Sequence, residues 1–155
     1  MRHSKLGIGS LLGVGIALAG TLAMAPVSVA VTPDTATLSF DCGSYGSGTA
    51  TLTATQNGTD ATISVSTSAI SSPIDLGANS VTSQLTMTKN DTDTTVFSGS
   101  SNPAIPAGGA VSTGPLTGTV APGDKLEGSS LQVVVLGITA TCKATSPQTP
   151  GPFVF

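Results

Sequence analysis

The chain has 155 residues, with five Lys and Arg, eight Asp and Glu and one His, for a formal net charge of −3. With residues 1–30 read as an export signal, the remaining 125 form one domain that holds three lysines against eight carboxylates, a net −5, and contains no arginine, histidine or tryptophan. These absences exclude histidine-based hydrolytic triads, imidazole metal sites and nucleic-acid binding through clustered basic side chains.

The first segment predicts export. Arg2 and Lys5 precede an uncharged apolar run, Leu6 to Ala25, and Ser28-Val29-Ala30 offers small residues where a signal peptidase reads, so cleavage is expected after Ala30. The earlier Ala23-Met24-Ala25 would leave Pro26 directly after the cut, which blocks cleavage. The alternative is an uncleaved anchor, since about 20 apolar residues can span a bilayer. The expected product is secreted and extracellular, free of the membrane after cleavage.

Residues 31–34 are expected as a short polar leader. Period-two alternation then predicts a strand at 35–42, with Ala36, Leu38, Phe40 and Cys42 on one face and Thr35, Thr37, Ser39 and Asp41 on the other. Further strands are predicted at 47–55 and 60–68, joined through Asn57-Gly58, a hairpin signal because both residues tolerate positive φ. Ser71-Ser72-Pro73 breaks the pattern, which resumes at 79–89 and turns at Asn90-Asp91-Thr92-Asp93 into a short strand at 94–99.

Asn102 to Gly109 reads as a surface loop, two strands interrupted at Gly114-Pro115 span 110–121, and Ala121-Pro122-Gly123-Asp124 makes a turn. A final strand is expected at 130–143, with Leu131, Val133 and Val135 in one register and Val134, Leu136, Ile138, Ala140 and Cys142 in the other. Such a strand is either central and apolar on both faces, or switched in face by a bulge at Gly137. Residues 146–155 form a tail. Outside the cell the two cysteines predict one disulfide, and in their strand patterns Cys42 and Cys142 both point inward.

Ser and Thr supply 40 of the 125 residues while helix-favouring polar residues are nearly missing, and no stretch has helical spacing. Seven to nine short strands predict an antiparallel β-sandwich, Ig-like in general architecture, with a small closed β-barrel as the alternative. It is not an antibody-type domain, because the bridge joins strands near the two chain ends and no tryptophan is present. The export signal, Ser39-Phe40-Asp41-Cys42-Gly43-Ser44-Tyr45-Gly46-Ser47-Gly48-Thr49, the stretch from Asn102-Pro103-Ala104-Ile105-Pro106 to Asp124, and the ending from Cys142 resemble small exported proteins of high-GC Gram-positive bacteria. That resemblance implies compartment and fold class, and brings no activity or catalytic residue.

Two carboxylate pairs have the residue type for glycoside hydrolysis, Asp124 with Glu127 and Asp91 with Asp93, but the expected domain has few aromatic side chains to platform a sugar. Lys89, Lys125 and Lys143 lie beside turns or the chain end with no nucleophile motif to serve as a base. Asp91 and Asp93 are also calcium-ligand types, yet the run lacks the glycine and distal glutamate of a helix-loop-helix site, so a solvated turn is expected. Asn57-Gly58-Thr59 and Asn90-Asp91-Thr92 match the N-glycosylation pattern and are read as turns. No catalytic, cofactor or metal residue is assigned. The expected function is a secreted, non-catalytic structural or surface-interaction protein whose partner is an extracellular protein or polysaccharide; the alternatives are a polysaccharide or cell-wall binding module, and a hydrolase inhibitor that uses the 102–109 loop.

Overall fold

Residues 30–155 are described by the computed structural model, and the expected export signal lies outside the described residues apart from Ala30. Among the described residues the alternating segments form nine strands: β1 (Thr35–Asp41), β2 (Ser47–Asn57), β3 (Asp60–Ser71), β4 (Thr82–Lys89), β5 (Asp93–Gly99), β6 (Ala110–Thr119), β7 (Lys125–Val135), β8 (Ile138–Ala144) and β9 (Phe153–Val154). One 3-10 turn, Gly43–Tyr45, separates β1 from β2.

All pairings are antiparallel and run β4-β5-β6-β3-β2-β1-β8-β7, after which β7 pairs back onto β4 from Thr82↔Val134 to Lys89↔Leu126. Eight strands therefore close into a barrel, and β9 adds to the start of β7. The expected Ig-like sandwich is corrected to its alternative. A sandwich needs free sheet edges, whereas β7 is hydrogen-bonded to β4 on one side and to β8 on the other.

The expected single strand at 130–143 is also corrected. It is a hairpin of β7 and β8 that folds back at Leu136-Gly137, with φ of 50° and 78°. Positive φ at both central positions suits the twist of a two-residue hairpin. The turn resets the alternation: Leu131, Val133 and Val135 point inward on β7, Ala140 and Cys142 point inward on β8, and Val134, opposite exposed Thr82, points out. The two strands expected in 110–121 are one, β6, which carries an irregular register with β3 around Gly114.

The seam between β1 and β8 is thin, with two registered pairs, Phe40↔Ala144 and Asp41↔Lys143. The Cys42–Cys142 disulfide lies beside them and ties positions 100 residues apart. Below it the chain end continues the seam, because the backbone N–H groups of Thr37 and Thr149 each donate to the other's carbonyl, at 2.8 and 2.7 Å.

The leader and the tail belong to this end of the barrel. Val31 is buried, Thr32 bridges Val154, and Phe153 and Phe155 are buried in an edge-to-face pair with Phe153 fully enclosed. Gln148 is buried too: its side-chain oxygen accepts the Gly128 N–H at 3.0 Å and its amide donates to the Gly151 carbonyl at 2.9 Å. Met87, Phe97, Leu116 and Leu126 complete a fully packed core in this half.

A bridge closing a loop of this length is worth about 4.7 kcal/mol in the chain-entropy picture. Urea unfolding of residues 31–155 should show the Cys42→Ala/Cys142→Ala variant about 3 to 5 kcal/mol less stable than the oxidised protein. A difference under about 1 kcal/mol would mean that hydrogen bonding alone holds the seam.

Candidate functional site

Packing stops half-way up the barrel. Inward positions of the lower half carry Met87, Phe97, Leu116 and Phe153, while those of the upper half, apart from Phe40, carry small or branched residues, among them Ala50, Val65, Val133, Ala140 and Ala144. The backbone ring keeps its width regardless of side-chain size, so small inward residues leave space. The result is an apolar cavity of about 530 Å³, within the range of small-molecule sites.

Leu38, Leu52 and Leu85 line it and are themselves buried, forming the floor. Gly128 on β7 leaves room for Leu38 and Leu52, since a Cβ there would fall 2.6 Å from Leu38 Cδ2 and 3.4 Å from Leu52 Cδ2. On the wall, the buried hydroxyls of Ser83 and Thr113 satisfy each other at 2.7 Å.

The cavity is open at the end formed by the Gly43–Tyr45 turn, the 72–81 segment and the β7–β8 hairpin. Four large apolar side chains surround the mouth and stay in solvent: Tyr45 at 50% exposure, Ile74 at 46%, Leu136 at 75% and Ile138 at 58%. Leu136 is exposed from a left-handed backbone conformation that costs a non-glycine residue about 1 kcal/mol or more. Leu131, Val133 and Val135 point inward yet stay partly accessible, because they face the cavity.

The 102–109 loop, expected as a surface element, helps hold the mouth. Asn102 is buried, and its side-chain oxygen accepts the N–H groups of Ser80 and Val81, both at 2.9 Å. Ile105 is buried and exchanges backbone hydrogen bonds with Leu76, which lines the cavity.

The carboxylates singled out from sequence lie at the opposite, closed end, where Asp124 and Glu127 serve the fold. Asp124 is buried. It accepts the Ala121 N–H at 2.8 Å and the Asn90 side-chain amide at 3.3 Å, and pairs with Lys89 at 3.2 Å. Glu127 accepts the Gln148 N–H at 2.9 Å.

Asp91 and Asp93 are exposed at the β4–β5 hairpin, where Asn90 and Asp91 take φ of 51° and 66°. Asn90 joins this hairpin to the next turn by accepting the Lys125 N–H at 3.0 Å. Among the described residues no three His, Cys, Asp or Glu gather where they could hold a metal ion, and no helix is long and apolar enough to cross a membrane. Lys89 is committed to Asp124, and Lys143 stands opposite Asp41 across the seam.

Sequence reasoning missed the cavity. Its signal was the size of inward residues compared across strands, which alternation within one strand does not show. Comparison with protein families, curated proteins and solved structures finds no match to this chain.

The Ala121 N–H does most to hold the Asp124 carboxyl below its ordinary 3.8, against the opposing effect of burial and with further help from Lys89 and Asn90. A carboxyl lowered in the folded state stabilises fully above about pH 4, and that stabilisation is lost as pH falls through the folded value. Asp124→Asn should therefore cost about 1 to 2 kcal/mol at pH 7 and flatten the acid side of the stability profile. Parallel acid dependence in the two proteins would contradict this assignment.

Proposed function

We propose that this chain is an exported, non-catalytic binding protein that encloses a small apolar molecule in the open half of its barrel. The carrying observation is the 530 Å³ cavity, lined by hydrocarbon and reached through a rim of Tyr45, Ile74, Leu136 and Ile138. Water in such a cavity finds few polar partners, and burying a Val or Leu side chain yields about 1.5 to 3 kcal/mol, so an apolar occupant gains from each wall residue it covers. Export is supported by the signal pattern in residues 1–30 and by a disulfide, the mark of an oxidising compartment. The non-catalytic reading draws on a domain without imidazole or guanidinium, and on a cavity lining that holds no carboxylate.

A second reading, a polysaccharide-binding outer wall, is favoured by rows of outward hydroxyls in register across neighbouring strands, as in Thr37↔Thr51↔Ser66↔Ser112. The two readings separate experimentally, because one uses the inside of the barrel and the other the outside.

Ala140 faces the cavity and pairs with Val133, so Ala140→Phe places a ring in empty space. An environment-sensitive naphthylamine dye should bind the wild-type protein, and the variant should bind it at least tenfold more weakly with an unchanged or higher melting temperature. Failure of the wild type to bind, or undiminished binding by a folded variant, would refute the cavity reading. Retention on insoluble polysaccharide that survives Ala140→Phe would favour the outer wall.

A further inference from the structure

The charges of the barrel are divided between its ends. Asp34, Asp60, Asp91, Asp93, Asp124, Glu127, Lys89 and Lys125 all lie on strand ends or turns of the closed half. The mouth carries two carboxylates. Asp41 precedes the Cys42 to Tyr45 segment that lines the opening, and Asp75 lies between the lining residues Ile74 and Leu76. Both are exposed, and each is fixed by a backbone N–H, Asp41 by that of Gly43 at 2.7 Å and Asp75 by that of Ala107 at 2.8 Å.

Among the described residues the one cation bordering the cavity, Lys143, occupies an exposed, outward position on β8 and offers no charge to the interior. Among the lining residues the buried polar side chains are the hydroxyls of Ser72 and Thr113, and both are bonded, Ser72 to the Ile74 carbonyl at 2.6 Å and Thr113 to Ser83.

An anionic head group thus meets like charge at the mouth and finds no partner within. A neutral hydroxyl carries its own hydrogen, and the oxygens of Ser72 and Thr113 keep a lone pair that can accept it, which a carboxylate cannot use. The volume sets the size. At the roughly 30 Å³ that a water-sized group takes in a liquid, the cavity holds about 18 non-hydrogen atoms.

We propose that the cavity takes an uncharged amphiphile, a long-chain alcohol or ester with about a dozen carbons, in preference to the matching carboxylate, and that Asp41 and Asp75 at the mouth enforce this choice. The inference rests on the cavity being a binding site, and the experiment separates the two. Dodecanol and dodecanoate, both below their aggregation limits, compete with the bound naphthylamine dye at pH 8 and low salt.

The expected result is at least tenfold tighter binding of the alcohol, with that ratio shrinking at least threefold in Asp41→Asn/Asp75→Asn. These substitutions keep the oxygen that accepts the backbone N–H. Asp91→Asn/Asp93→Asn removes the same net charge at the closed end and should leave the ratio unchanged. Displacement by neither compound overturns the cavity reading itself. Equal affinities, a ratio unmoved by the mouth variant, or a ratio moved equally by both variants would overturn the role of Asp41 and Asp75 and leave the cavity reading standing.

Discussion

Closure of the ring at the β1–β8 seam is the constraint on which the rest of the molecule depends. These two strands share two registered pairs, whereas β1 shares seven with β2 and β7 shares six with β8. The covalent bridge from Cys42 to Cys142 stands beside this thin seam, and the 145–149 segment reinforces β1 below it. If this seam opened, the β7–β8 hairpin would separate from β1, and the cavity would lose the wall made by Val133, Val135, Ile138 and Ala140. One bridge therefore ties the ring together at this seam and holds that wall of the cavity in place.

The packed core and the proposed binding cavity occupy different ends of the same barrel. At the closed end, Phe97, Leu116, Leu126 and Phe153 are wholly enclosed, and the Lys89, Asn90 and Asp124 network ties two turns together. At the open end, alanines and valines face one another across space, and hydrophobic side chains remain in water around the mouth. The packed half offsets the cost of the unpacked one. Leu136 illustrates the division: its exposed, left-handed position lowers stability, and that outlier coincides with the rim of the cavity.

Local features were legible in the sequence. Alternation in Ala36, Leu38, Phe40 and Cys42 identified β1 and its inward face, Asn57-Gly58 marked the β2–β3 hairpin, and the inward phase of both cysteines matched the disulfide that forms. Features set by comparison between strands were not. Barrel and sandwich share the same alternation and differ in whether β4 and β7 meet, a pairing between segments some 40 residues apart.

Leu136-Gly137 hid a hairpin because leucine is not a turn signal, and continuous alternation through it carried Val134 to the wrong face. The cavity stayed hidden because each small inward residue is ordinary on its own strand. The warning lay in the placement of the phenylalanines: Phe97, Phe153 and Phe155 serve the closed end, and Phe40 is left to fill the other.

The most direct test of this account is methyl NMR of the oxidised 31–155 protein titrated with decanol. The account predicts saturable shifts at Leu131, Val133, Val135 and Ala140, with Met87, Leu116 and Leu126 unmoved beneath the floor. Shifts confined to outward methyls such as Val96 and Val134, or no saturable shifts at all, would contradict a barrel that binds its ligand inside.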